Sequence, residues 1–184
     1  MNSYTHLPSP LGPILLTSDG AGLTGLYMSE YKHGEEVRDD WILGDNAPLL
    51  QEAKRQLTAY FDGTLKEFDL PLTMRGTPFQ LRVWEELTRI PYGTTISYGE
   101  LARRVGNPNA SRAVGLANGR NPISIIVPCH RVIGSDGKLT GYGGGLPRKS
   151  ALLSFEAAVL AGGPRRLEMA DSQPLQSQYE LEFV

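Results

Sequence analysis

The sequence predicts an α+β protein made of two units that meet near residue 76. Near the N-terminus, two apolar runs flank a tight turn and lead into one amphipathic helix. A proline-headed, capped helix then opens a second unit built of short helices. Inside that unit a β-branched run ends on the single cysteine of a 184-residue chain.

Ile14-Leu15-Leu16-Thr17 and Leu23-Thr24-Gly25-Leu26-Tyr27 flank Asp19-Gly20, which is the pattern of a β-hairpin. Residues 29–46 are polar and irregular. Leu49, Leu50, Ala53, Leu57, Tyr60 and Phe61 recur at helical spacing, and Asp62-Gly63 stops the helix. Phe68 to Leu72 is a short extended piece. The first unit, residues 1–75, carries no nucleophile–base pair, phosphate loop or metal cluster, and its expected role is structural support.

The second unit spans residues 76–162. Thr77-Pro78-Phe79-Gln80 supplies a cap, a first-turn proline and a glutamine three residues after the cap. Phe79, Val83, Trp84 and Leu87 form an apolar stripe, with Trp84 expected in the core, and Pro91-Tyr92-Gly93 ends the helix. Ser97-Tyr98-Gly99-Glu100 is a second capping box opening a helix through Val105. Gly106-Asn107-Pro108 is a turn, and Asn109 is read as the cap of a third helix from Ala110 to about Asn118. Two short helices about a three-residue turn have helix-turn-helix spacing, which many helical hairpins share.

The third helix is bare. Ala110, Ser111, Ala113, Gly115, Ala117 and Gly119 are small, and Arg112 is the long exception. Such a helix either packs closely on a neighbour or enters a DNA minor groove, which is only ~6 Å wide. Ile123-Ser124-Ile125-Ile126-Val127 reads as a buried strand leading to Pro128-Cys129-His130-Arg131-Val132-Ile133-Gly134. Gly141-Tyr142-Gly143-Gly144-Gly145 lacks phosphate-loop spacing and suits a pocket wall of bare N–H groups for a flat polar ligand. Pro147 begins a last helix holding Leu152, Leu153, Phe155 and Glu156, and residues 163–184 read as a flexible tail.

Composition narrows the function classes. At 40% apolar and 21% charged residues the chain reads as soluble and globular. No apolar run reaches the ~18–20 residues of a membrane helix, and the N-terminus lacks the basic start and apolar stretch of a signal peptide. One cysteine excludes an internal disulfide and a multi-cysteine zinc site, so a reducing cytoplasm and no metal are expected. The net charge of −2 hides a division, with −5 over residues 1–75 and +6 over residues 98–150. The basic block is either a solvated face or a patch that meets an anion such as nucleic acid.

Lone cysteines are mostly small buried hydrophobes. Cys129 differs in following Pro128 at the end of a buried run, in having His130 beside it, and in a basic flank expected to favour the thiolate. Neighbours in a regular strand point to opposite faces, so a Cys129–His130 interaction needs a turn or a bridging water. His130 in turn needs a carboxylate to fix its tautomer, and Glu156 is the best placed.

These residues resemble the O6-alkylguanine-DNA alkyltransferases, also called methylated-DNA–protein-cysteine methyltransferases. The likeness rests on Pro128 to Gly134, Asn121-Pro122, Tyr98, Arg112-Ala113-Val114-Gly115 and Gly141 to Gly145. It extends to Ser9-Pro10-Leu11-Gly12 and Ala59-Tyr60-Phe61-Asp62-Gly63. It implies a ribonuclease-H-like α/β unit followed by a winged-helix-like helix-turn-helix domain. It also implies single-use repair, in which Cys129 takes the alkyl group from a base flipped out of double-stranded DNA. By resemblance His130 receives the thiol proton through a water, Glu156 orients His130, and Asn121 braces the turn that holds Cys129. Tyr98 serves the guanine ring nitrogen and the strand's phosphate. Arg112 fills the gap left by the base, on a minor-groove helix with Ala110, Ser111, Ala113 and Gly115. Val132, Tyr142, Gly143 and Gly144 line the pocket, Gly143 standing where some members have serine.

The resemblance implies a reaction without a cofactor. Some members of the family hold a structural zinc, which a single cysteine cannot support, so no zinc is expected. Neither is membrane association, and a monomer is expected. Arg103, Arg104, Arg112, Arg120, Arg131, Arg148 and Lys149 are the candidate phosphate contacts. Two other readings fit parts of the pattern. One is a non-catalytic helix-turn-helix regulator whose Cys129 senses redox change or alkylators. The other is a cysteine hydrolase using Cys129 and His130.

Overall fold

The computed structural model describes residues 2–30, 34, 36–163 and 166–168. The first unit is a four-stranded sheet in the order β3-β2-β1-β4, packed against one helix. β1 (Ser3–Leu7), β2 (Ile14–Ser18) and β3 (Leu23–Met28) run antiparallel, and β4 (Ile42–Leu43) joins β1 in parallel. The hairpin expected from the sequence is β2–β3. β1 and β4 were not expected, because neither carries an apolar alternation of its own. Each is a strand because a neighbour's edge pairs with it. α1 (Pro48–Phe61) buries Leu50, Ala53, Leu57, Tyr60 and Phe61, and Gly63, at φ 68°, turns the chain out of it.

In the second unit, α2 (Pro78–Thr88) opens with a complete capping box. Thr77 N–H donates to Gln80 Oε1 at 2.9 Å, and Gln80 N–H donates to Thr77 Oγ1 at 3.2 Å. Trp84 is buried and donates its indole N–H to the Ala117 carbonyl at 2.8 Å, locking α2 to α4 (Ser111–Gly119). β5 (Ile96–Ser97) precedes α3 (Tyr98–Arg104) and pairs in parallel with β6 (Val132–Ile133). Ser97 caps α3, but the Glu100 carboxylate bonds Arg103 and Arg104 instead of closing a box. The N-cap of α4 is Ala110, with no side-chain cap, so Asn109 does not fill the capping role read from the sequence. α5 (Leu146–Leu160) follows Gly145, whose φ of 87° a side chain would oppose.

Residues 123–127 are buried, but they are not the strand their β-branching suggests. Ile125 sits at φ 71°, and the segment closes on itself through an isolated Ser124–Val127 bridge. Asn121 replaces sheet pairing there. Its Nδ2 donates to the Val127 carbonyl at 2.8 Å, and its Oδ1 accepts from Ile123 N–H at 3.0 Å. The β-branched composition reflects burial, and the polar needs of the backbone are met by the Asn121 amide together with local backbone bonds, Ile126 N–H to the Ser124 carbonyl at 2.8 Å and Val127 N–H to the Ile123 carbonyl at 3.0 Å.

The two units share one core. Leu26 N–H donates to the Pro122 carbonyl at 2.8 Å. Arg148, read from sequence as a phosphate contact, is a buried strut. It donates to the carbonyls of Leu11, Ser29 and Gly144, each at 3.0 Å, and to Ser29 Oγ at 3.1 Å. Leu167 is also buried, its N–H on the Phe61 carbonyl at 2.9 Å, so the expected tail is anchored at this point. Residues 169–184 of that tail lie outside the described residues. No helix among the described residues is long and apolar enough to cross a membrane.

Truncating the strut leaves buried carbonyls of both units without donors. Arg148→Ala is expected to lower unfolding free energy by about 3 kcal/mol in urea denaturation, whereas a surface phosphate contact would cost almost nothing.

Candidate active site

After Pro128 the chain makes one 3-10 turn, Cys129–Arg131, before entering β6. This turn supplies the break that a Cys129–His130 interaction requires, and all three residues are buried.

The Glu156 carboxylate, on α5, is the hub. Oε1 lies 2.8 Å from His130 Nε2 and accepts from Tyr60 OH at 2.7 Å and Arg131 Nη2 at 2.9 Å. Oε2 accepts from Arg131 Nε and from Gly93 N–H, each at 3.0 Å. Burial pushes the carboxyl upward, but the hydrogen bonds and charges of His130 and Arg131 outweigh it and hold Glu156 well below the ordinary range. Burial depresses His130, with help from the Arg131 and Lys149 charges, against the pull of Glu156. We take His130 as neutral at pH 7, which leaves Arg131 as the cation that balances Glu156. The network then assigns the tautomer. Nε2–H donates to Glu156, and Nδ1 is left as an acceptor. Nδ1 is buried and meets no hydrogen-bonding group among the described residues.

Cys129 is 1% exposed, and its sulfur takes hydrogen bonds from the Asn121 and Ser124 side chains. Burial raises its pKa, against those bonds and the Lys149 charge. The basic flank therefore does not yield a resting thiolate as expected. A desolvated sulfur loses more than its cationic neighbour returns.

Lys149, fully buried, donates to the carbonyls of Val132 at 2.6 Å, Thr140 at 2.9 Å and Gly141 at 3.2 Å. Its ammonium is pulled down to about 8 by burial. Tyr98 OH donates to the Thr140 carbonyl at 2.7 Å, and burial raises its pKa, so the phenol keeps its proton. Lys149 thus holds β6, the start of the glycine loop and Tyr98 together. Like Arg131 and Arg148, it is an interior cation and not a phosphate contact. The remaining candidates, Arg103, Arg104, Arg112 and Arg120, are exposed, the first two paired with Glu100.

The other sequence candidates fall into two groups. Val132 and Gly144 are buried, and Tyr142 and Gly143 are half-buried. A Cβ on Gly144 would lie 2.6 Å from Met28 Cε and 2.9 Å from Tyr142 Cε1, so the glycine loop closes against β3 of the first unit. On α4, Arg112 and Ala113 are exposed, and Ala110, Ser111 and Gly115 are half-buried. A Cβ on Gly115 would sit 3.8 Å from the Tyr98 ring, so α4 approaches Tyr98 while Arg112 faces outward. Tyr60, Ser124, Met28, Gly93 and the interior roles of Arg131 and Lys149 were missed from sequence. Tyr60 reads there only as one residue of an apolar stripe, 96 positions from Glu156.

Two family models match the chain. One, 6-O-methylguanine DNA methyltransferase, ribonuclease-like domain, covers residues 2–74. The other, 6-O-methylguanine DNA methyltransferase, DNA binding domain, covers residues 78–158. The methylated-DNA–protein-cysteine methyltransferase of Methanosarcina acetivorans is 55% identical over 155 residues, 84% of this chain and 98% of the relative. The chain belongs to the 6-O-methylguanine DNA methyltransferase family. A Mycobacterium bovis protein of the same name is 56% identical over 156 residues, covering 85% of this chain and 93% of its own. The crystal structure of Mycobacterium tuberculosis OGT in complex with DNA superposes with a TM-score of 0.79 at 54% identity, over 85% of this chain and 94% of that one. The fold is that of a methyltransferase of this family, a ribonuclease-like domain followed by a DNA-binding helical domain.

Replacing the hub carboxylate strands a buried guanidinium. Glu156→Gln is expected to cost about 3–5 kcal/mol of stability near pH 7 in urea denaturation. Because the folded-state pKa is depressed, the ion pair's contribution is complete above the carboxylate's ordinary 4.5 and is lost as pH falls below it. The gap between wild type and Glu156→Gln should therefore narrow in acid. A gap that stays constant across that range would contradict the charged-hub assignment.

Proposed function

We propose that this protein repairs O6-alkylguanine in double-stranded DNA by moving the alkyl group irreversibly to Cys129. The observation that carries the reading is the buried His130 beside Cys129, with Nε2 committed to Glu156 and Nδ1 open as a base. Family membership supplies the substrate class.

The O6 alkyl carbon lies inside the duplex, so the nucleotide is flipped out at a cost of a few kcal/mol. α4 enters the minor groove, and Arg112 fills the vacated stack, offsetting part of that cost. The thiol proton passes through a water to His130 Nδ1. Sulfur then attacks the alkyl carbon in line, forming the S–C bond as the C–O6 bond breaks. The bonding pair returns to O6 and the purine ring, where a hydrogen bond from Tyr98 OH to the ring nitrogen stabilises the leaving guanine. Tyr98 reaches it by releasing the Thr140 carbonyl, which Lys149 continues to satisfy. Desolvation keeps Cys129 protonated at rest, which protects the sulfur from adventitious reaction and ties its activation to His130.

Asn121 and Ser124 keep the sulfur oriented, and Val132, Tyr142, Gly143 and Gly144 wall the pocket. Gly143 has no side chain to contact O6, so backbone N–H groups serve that oxygen. No cofactor or metal enters these steps, and the product thioether has no route back. The protein is read as a monomer of the cytoplasm.

Incubation with an O6-methylguanine duplex should add one methyl to the peptide containing Cys129, with the reaction stopping at one equivalent by mass spectrometry. Addition beyond one equivalent, or on another residue, would overturn the reading. Cys129→Ala should abolish transfer and keep DNA binding.

Arg112→Ala should slow duplex repair by at least tenfold and leave the reaction with free O6-methylguanine base within twofold, in paired single-turnover assays. Equal slowing of both would remove Arg112 from base flipping.

A further inference from the structure

We propose that Asn118 is a positioning residue that strengthens Tyr98 as the hydrogen-bond donor to the leaving guanine, a role that rests on the alkyl-transfer reading and adds a residue to it. Asn118 sits on α4, the helix that carries Arg112, and is 1% exposed. Its Nδ2 donates to the Cys129 carbonyl at 3.3 Å. Only an N–H can face a carbonyl, so this contact fixes the orientation of the amide. The same side chain hydrogen-bonds the Tyr98 phenol, and it acts there as a donor, drawing the phenol's pKa down against burial. Nδ2 carries two hydrogens, one for the nucleophile's turn and one for the phenol oxygen.

The other end of the amide argues against a purely structural role. Asn118 Oδ1 is buried and meets no hydrogen-bonding group among the described residues. An unpaired buried acceptor works against folding. Neither partner of Nδ2 depends on it. The Cys129 carbonyl also accepts from Val132 N–H, and the phenol is held by the Thr140 carbonyl at 2.7 Å and lies 3.5 Å from Lys149 Nζ. An apolar side chain at 118 would remove the orphaned oxygen and strand nothing else.

What the amide supplies is polarity at one oxygen. A hydrogen bond donated to the phenol oxygen drains charge from its O–H, and hydrogen bonds in series strengthen one another. At rest the Tyr98 O–H is spent on the Thr140 carbonyl. During transfer it turns to the purine ring nitrogen as charge develops there, and Asn118 continues to donate to the same oxygen from α4. The helix is already against Tyr98 at Gly115, where a Cβ would sit 3.8 Å from the ring.

The test is a double-mutant cycle. Methyl transfer from an O6-methylguanine duplex to Cys129 is followed under single turnover in wild type, Asn118→Leu, Tyr98→Phe and the double variant, beside duplex affinity and urea denaturation. Asn118→Leu is expected to slow transfer about tenfold, with affinity within about twofold and the urea midpoint at or above that of wild type. In the Tyr98→Phe background the same change should slow transfer by less than about twofold, because no phenol remains to be polarised. Tenfold slowing in both backgrounds, no slowing at all, or a Tyr98→Phe protein that transfers at the wild-type rate overturns the role of Asn118. Should leucine not fit, Asn118→Ala is measured in the same way, and failure of both variants to fold assigns the residue to stability and overturns that role too. A wild-type protein that leaves Cys129 unmodified sinks the alkyl-transfer reading and Asn118 with it. Wild-type transfer with equal slowing in both backgrounds sinks Asn118 alone.

Discussion

One buried carboxylate organises this protein. In a low-dielectric interior Glu156 stays ionised only if a cation and several donors surround it, and it draws them from separate parts of the chain. Tyr60 comes from α1, Gly93 from the link between α2 and β5, and His130 and Arg131 from the 3-10 turn. Satisfying one charge therefore fixes how the first unit, the last helix and the nucleophile's turn sit against one another. It also sets the protonation pattern of His130. On the proposed mechanism, a stability requirement and a catalytic requirement are met by the same oxygen atoms.

Lys149 plays a corresponding part for the strand that follows the nucleophile's turn. Its ammonium gathers carbonyls from β6 and the glycine loop, and it leaves Tyr98 anchored between that loop and α4. The basic block seen in the sequence thus divides by depth. Arg131, Arg148 and Lys149 turn inward and bond carbonyls or the hub, and Arg112 and Arg120 face solvent with α4. Linear charge density does not distinguish the two uses, because both need long cationic side chains.

What could be read from the sequence was local. The Thr77–Gln80 box, the β2–β3 hairpin and the stripe of α1 each lie within one element, and periodicity and capping determine them. The pairing of Glu156 with His130 was also accessible, because a histidine beside a nucleophile calls for a carboxylate and few stand nearby. Residues 123–127 misled because β-branching reports burial as well as extension, and the Asn121 amide with local backbone bonds took the place of sheet pairing. Tyr60, Met28 and the Arg148 acceptors could not be read locally, since each contact joins residues that only the tertiary fold brings together. The thiol's raised pKa was inaccessible for a related reason. Flanking charges are visible in a linear chain and desolvation is not.

The close approach of Met28 to Gly144 bears on the proposed substrate pocket. On the proposed mechanism the nucleophile and its base belong to the second unit, yet the glycine loop read as their pocket wall rests on a flexible thioether side chain on β3 of the first. How large a group fits there is consequently shared across the seam. If the glycine loop walls the pocket as proposed, drift in the supporting sheet retunes which lesions are accommodated without altering a single residue that takes part in bond making.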